Sequence, residues 1–174
     1  MRTIILIPAR YESSRYPGKP LAMLEQPDGK HKSLIQMSYE AGCTVKGIDD
    51  VYVATDDNRI KDAAEAFGAK VIMTSKDCQN GTERCSEALS RSGLKADLVV
   101  NLQGDAPLTP PWFIEELIDK MKLEDNVDVS TPVLEMDPKT YHLFHQDRKN
   151  NRVGGTTVVF DYKNQALYFS KEVI

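Results

Sequence analysis

Thr3-Ile4-Ile5-Leu6-Ile7-Pro8 is β-branched and apolar without alternation. A strand wet on one face alternates apolar and polar side chains. An unbroken apolar run of strand length therefore predicts a central strand covered on both faces by helices. Similar short runs recur at Val51-Tyr52-Val53-Ala54, Val71-Ile72-Met73 and Leu98-Val99-Val100-Asn101-Leu102, with helical patterns between them around 34–43, 57–67 and 82–92. This alternation predicts an α/β protein with a layered, mostly parallel sheet. Asp56 or Asp57 is placed to cap the second helix, Gly68 to end it, and Thr82 to cap the third. A further helix is expected from about Pro111 to Lys122, with the proline suited to its first turn. Beyond it the pattern predicts strands at 128–133, 153–161 and 166–169, with a short polar helix near 138–146. Gly154-Gly155 permits a bulge or a turn in the late β segment. Gln26-Pro27-Asp28-Gly29-Lys30 reads as a turn.

The 174 residues, 41% of them hydrophobic, suit one domain spanning 1–174. A formal net charge of -4 argues against a protein that coats nucleic acid, which needs a basic surface to neutralise phosphates. Any anionic ligand must then be met by a local cluster of cations. The apolar run Ile4 to Pro8 is far too short to span a bilayer or to form a signal-peptide core, which predicts a cytoplasmic protein without membrane contact. Cys43, Cys78 and Cys85 form an odd set without CxxC spacing and read as reduced thiols. His31, His142 and His145 lack metal-like spacing and read as surface residues.

In open parallel sheets, ligands settle beyond the carboxyl ends of the strands where the strand order reverses. If the first four strands take the common 3-2-1-4 order, the loop from Ala9 to Lys19 lies beside the loop from Gln103 to Asp105. The first supplies Arg10, Arg15 and Lys19 with Ser13, Ser14 and Gly18; the second supplies one carboxylate. Attack on the α-phosphorus of a triphosphate requires its charge to be offset and the leaving pyrophosphate held in line. Arginine, lysine and magnesium do this, and backbone N–H groups in a small-residue loop add neutral donors. Magnesium takes few carboxylates, water and the substrate's own phosphates, so Asp105 alone is a credible anchor. Taken singly, the basic loop also reads as solvated surface, Asp105 as a turn residue and Asp56-Asp57 as a helix cap. Pro17-Gly18-Lys19-Pro20 lacks the GxxxxGK[ST] spacing of a P-loop, and Pro20 would interrupt the helix start that such a loop needs.

The stretch from Ile7 to Leu21, with Pro8-Ala9-Arg10 and Tyr16-Pro17-Gly18-Lys19-Pro20, resembles the opening motif of the CMP-Kdo synthetases, or 3-deoxy-manno-octulosonate cytidylyltransferases. Val53-Ala54-Thr55-Asp56-Asp57, Met73-Thr74-Ser75, Gly81-Thr82-Glu83-Arg84, Val100-Asn101-Leu102-Gln103-Gly104-Asp105 and Ala166-Leu167-Tyr168-Phe169-Ser170 follow in that family's order and approximate spacing. The resemblance implies a Rossmann-like nucleotidyltransferase fold of three layers. It also implies transfer of CMP from CTP to the anomeric hydroxyl of Kdo, for lipopolysaccharide biosynthesis. On this resemblance Arg10, Ser13, Ser14 and Lys19 would hold the CTP phosphates, and Arg10, Lys19 and Asp105 would carry the catalysis. Ala9, Thr74 and Ser75 would face cytosine, and Asp105 would bind Mg2+. Gln103, Arg84 and Tyr168 would face the acidic sugar, joined by Lys171 where the family commonly has arginine.

The family commonly has glutamate where this chain has Ala106, and its members usually continue beyond the point matched by Ile174, through a segment that contributes to a homodimer. These departures keep two other expectations open. One is CMP transfer to another acidic sugar, such as amino-Kdo or a sialic-acid-like compound. The other is a catalytically silent nucleotide-binding homologue.

Overall fold

A computed structural model describes residues 1–12 and 16–174. By its internal packing the chain forms two compact units, Met1–Ser130 and Thr131–Ile174.

In the first unit, β1 (Thr3–Ala9) is buried at all seven positions. It pairs in parallel with β4 (Asp50–Thr55) on one side, Ile5 opposite Val51, and with β6 (Leu98–Asn101) on the other, Ile5 opposite Val100. β5 (Lys70–Met73) adds to β4, giving the order β5-β4-β1-β6. This is the 3-2-1-4 order on which the adjacency of the two loops is conditional, and the reversal falls between β1 and β6. Side chains of β1 alternate between the two faces. Ile5, Ile7 and Ala9 join a cluster with Ile35 of α1 (Leu34–Cys43), Ile60 of α2 (Asn58–Ala66), and Ile114 and Ile118 of α4 (Pro111–Leu123). Ile4 and Leu6 join another cluster, with Cys85 and Ala88 of α3 (Gly81–Ser92). The chain moves outward through α1 and α2 and returns through α3; with crossovers of one hand, the reversal puts α3 on the opposite face.

Local chemistry sets the boundaries. Ser33 caps α1, accepting from the Gln36 N–H, and Asp57 caps α2, accepting from the Arg59 N–H at 2.9 Å. Asn80 caps α3, accepting from the Glu83 N–H at 2.9 Å. The expected cap, Thr82, is instead the second residue of that helix, because the amide two positions earlier reaches the third helical N–H. Gly68 and Gly93 follow α2 and α3 with φ of 86° and 65°. The turn at 26–30 joins a short antiparallel pair, β2 (Met23–Glu25) and β3 (His31–Ser33), which the periodicity does not reveal.

In the second unit, α5 (Pro138–Lys149) is capped by Asp137 and precedes an antiparallel hairpin of β7 (Thr157–Phe160) and β8 (Ala166–Ser170). Arg148 ties the unit together by donating to the carbonyls of Arg152 and Gly155, each at 2.9 Å, and to that of Lys171. The strand expected at 128–133 is absent: Val129 is 82% exposed, and β-branched residues form a strand only where a partner edge and a packing surface exist. The strand expected from 153 begins at Thr157. Gly154 and Gly155 contribute no side chain to pack, and the irregularity in the pairing falls at Val159/Phe160 instead. Among the described residues, no helix is long and apolar enough to cross a membrane.

Ile7 is fully buried at the centre of the sheet. Truncation by Ile7→Ala is expected to cost about 2–5 kcal/mol, read as a lowered denaturation midpoint with unchanged slope.

Candidate nucleotide site

A cleft of about 520 Å³ opens at the carboxyl ends of β1 and β6. Three stretches of chain supply its described lining, together with Leu34: Pro8 to Arg10 with Tyr16, Lys19 and Pro20; Cys78 to Arg84; and Gln103 to Asp105. Ala9, Arg10, Lys19, Arg84, Gln103 and Asp105, all singled out from the sequence, line it together. Ser13, Ser14 and Arg15 lie outside the described residues.

The loop after β1 returns on itself before reaching Lys19. Gly18, at φ 71°, donates its N–H to the Tyr11 carbonyl at 2.8 Å, and a Cβ on Gly18 would stand 3.1 Å from the Tyr11 ring. Arg59 lies over that ring, 3.3 Å from its centroid, and is itself held by two side-chain bonds to Asp57. The Arg59 side-chain bonds, and after them its backbone N–H, keep the Asp57 carboxyl below its ordinary range. One turn of 3-10 helix then starts at Lys19. Its ammonium donates to Asp105 Oδ2 at 2.6 Å, across 86 positions of sequence. Both side chains remain about half exposed, so a ligand can reach the pair.

The Gln103-Gly104-Asp105 turn is anchored from below, where the buried Ser38 hydroxyl donates to the Gly104 carbonyl at 2.9 Å. A Cβ on Gly104 would lie 2.9 Å from the Pro8 carbonyl oxygen, so the two strand-end loops meet only if residue 104 has no side chain. The Gln103 amide donates to Asn101 Oδ1 at 2.7 Å.

Arg84 is only 3% exposed although it lines the cleft. Its Nη1 donates to Thr74 Oγ1 and to the Ser75 carbonyl at 3.3 Å, and lies 3.3 Å from Asp56 Oδ1. That carboxylate oxygen is buried and has no hydrogen-bond donor among the described residues, so its contact with Arg84 is an ion pair rather than a well-aligned hydrogen bond. A buried guanidinium without a counter-charge would be strongly unfavourable, which gives Asp56 a structural task separate from the capping done by Asp57.

Thr74 and Ser75, expected at the cytosine end, do not line the cleft. Thr74 is occupied by Arg84, while the Ser75 N–H and hydroxyl both donate to Glu87, at 2.7 and 2.9 Å. Tyr168 and Lys171 belong to the second unit; Tyr168 is 61% exposed and the Lys171 ammonium donates to Thr156 Oγ1. The sequence reading passed over Tyr16, Cys78, Gln79 and Asn80, all of which line the cleft. The signal for the last three was the polar run between a parallel strand and the helix that opens at Gly81.

Among the described residues, no cluster of three or more His, Cys, Asp or Glu could hold a metal. Asp105 supplies one accessible carboxylate beside a space large enough for phosphates, which fits a magnesium ion that arrives with most of its ligands already in place. All three cysteines are free.

Two outcomes follow from this geometry. Gly104→Ala should destabilise the chain by about 1–3 kcal/mol through the forced separation of the two loops, visible as a lower melting temperature. Burial pushes the Cys85 thiol up to about 12, so it stays protonated at pH 8.5. Alkylation at that pH should label exposed Cys43 and spare Cys85 until denaturant is added, with mass spectrometry as the readout.

Residues 4–174 match the family model described as Cytidylyltransferase. The 3-deoxy-manno-octulosonate cytidylyltransferase of Maricaulis maris is 43% identical over 174 residues, spanning 100% of this chain and 65% of that protein. The 8-amino-3,8-dideoxy-manno-octulosonate cytidylyltransferase of Shewanella frigidimarina is 44% identical over 176 residues, spanning 100% of this chain and 66% of that protein. The chain thus spans just under two thirds of the length of these relatives. Among solved structures, a CMP:2-keto-3-deoxy-manno-octonic acid synthetase complexed with CTP superposes with a TM-score of 0.81 at 34% identity, covering 100% of this chain and 66% of that one. A parallel sheet reversing at β1 and β6, a cleft at that reversal and a match along nearly the whole length together show that this chain belongs to the cytidylyltransferase family.

Proposed function

We propose that this chain binds CTP and activates its α-phosphorus for transfer of CMP to the anomeric hydroxyl of Kdo, giving CMP-Kdo and pyrophosphate for lipopolysaccharide biosynthesis. The observation that carries the reading is the convergence of Arg10, Lys19 and Asp105 in one cleft at the topological switch point. The relative solved with CTP supports the choice of nucleotide.

Arg10 and Lys19 offset the triphosphate charge and hold the leaving pyrophosphate in line, so the work is positioning and electrostatics, without a covalent enzyme intermediate. With CTP in place, Lys19 would exchange Asp105 for a phosphate oxygen, and Asp105 would be the residue that holds magnesium. Magnesium, when bound, adds positive charge at the phosphates. The wall around Arg84 and Gln103 is assigned to the acceptor. Among the described residues the Arg84 side chain meets Thr74, Ser75 and Asp56 through Nη1, and its remaining guanidinium N–H groups are assigned to the carboxylate of the acceptor. The whole reaction is placed in the cytoplasm, where CTP is available.

A second acceptor is favoured by a specific observation: the relative named for 8-amino-3,8-dideoxy-manno-octulosonate is as similar as the one named for 3-deoxy-manno-octulosonate, 44% against 43%. Offering CTP with each sugar separately and following pyrophosphate release decides between them. Release with Kdo is expected; turnover with the amino sugar alone would transfer the assignment, and CTP binding without release from either would make the chain a nucleotide-binding module. Asp105→Ala should lower magnesium-dependent release about 100-fold or more with an unchanged circular dichroism spectrum, and an unchanged rate would remove the metal assignment.

A further inference from the structure

The segment Thr74 to Asn80, between β5 and α3, is fastened to the helix that follows it by three charged side chains. Arg84 holds Thr74 and the Ser75 carbonyl. Glu83 accepts from the Gln79 N–H at 2.8 Å and from the Asn80 side-chain amide at 2.9 Å. Glu87 takes the most: the Ser75 N–H and hydroxyl, Cys78 Sγ at 2.9 Å, and Arg91 Nη1 at 2.9 Å from one turn further along. These donors, the Cys78 thiol foremost and then Arg91, hold the Glu87 carboxyl down at about 2, so it is ionised throughout the neutral range. Burial, and then the same bond, push the Cys78 thiol above its ordinary value.

This segment supplies Cys78, Gln79 and Asn80 to the cleft. All three are uncharged, and neighbouring Arg84 is balanced by Asp56. The charged side chains Arg10, Lys19 and Asp105 come from the other two stretches. A nucleoside triphosphate has the same division, with a polyanion at one end and a neutral ring with hydrogen-bonding edges at the other.

We infer that Glu87 is a positioning residue for nucleoside recognition: without touching the ligand, it fixes the Ser75–Cys78 segment so that the neutral wall of the cleft meets the cytidine end of CTP. The inference rests on the CTP reading above. It explains why Ser75 is turned away from the cleft, since its two donors serve the carboxylate that shapes the wall. Pre-setting a loop in its ligand-bound shape raises affinity by removing an ordering cost from binding. The loss of Glu87 should therefore fall on ligands that carry a nucleoside and spare those that do not.

The test compares wild type, Glu87→Ala and Glu87→Gln in two measurements. Hydrogen exchange without ligand should show faster exchange in Glu87→Ala confined to about residues 75–80, with partial protection restored in Glu87→Gln, which keeps one acceptor oxygen. Calorimetry with CTP and with inorganic tripolyphosphate should show CTP affinity weakened about tenfold in Glu87→Ala and tripolyphosphate affinity within about twofold of wild type. Unchanged exchange, unchanged CTP affinity, or equal weakening for both ligands overturns the inference. A wild-type chain that binds tripolyphosphate and not CTP overturns the CTP reading instead, and the exchange comparison still decides whether Glu87 fixes the segment.

Discussion

β1 has no free edge and no free face. Its backbone must be hydrogen-bonded to β4 on one side and β6 on the other, because polar backbone groups cannot be left unpaired in an apolar interior, and its side chains fill the clusters on both faces. Everything at the functional end depends on that placement. With β4 and β5 built outward on one side and β6 added on the other, the loops after β1 and β6 are the neighbours that emerge where the order reverses.

The chemistry uses this adjacency sparingly. Lys19 and Asp105 are roughly half exposed, and a surface pair of this kind contributes little to stability. Its value lies in bringing a cation and a carboxylate to the mouth of one cleft. The approach is close because Gly104 lets the second loop lie against the Pro8 carbonyl and because Ser38 holds that loop from beneath.

A different economy governs the neighbouring wall. Arg84 is buried, so its charge has to be met inside the protein, and Asp56, Thr74 and Ser75 meet it with groups from the ends of β4 and β5. Glu83 and Glu87, on the same helix, take up polar groups of the connecting segment. Adjacent turns at the start of α3 thus serve as a rack on which an irregular stretch of chain acquires one shape. The result is a cleft with a charged part, where phosphate would be met, beside a neutral part with hydrogen-bonding side chains.

The sequence by itself determined the four parallel strands, the helices between them and the cationic and acidic loops, because these are written in local periodicity and composition. Unbroken apolar runs require cover on both faces, and Asp57, Gly68 and Pro111 mark helix ends through their own backbone and side-chain preferences. The ordered motifs from Ile7 to Ser170 also carried the family. Tertiary structure alone decided the rest. Val129 and Val133 have β-forming side chains yet no strand, since pairing needs an edge that local sequence does not describe. Asn80 rather than Thr82 caps α3, because the cap is fixed by which oxygen reaches the free N–H. Ser75 donates to Glu87, and Asp56 pairs with Arg84, because a polar group removed from water takes the strongest partner that folding brings near, and no spacing along the chain reveals which one that will be.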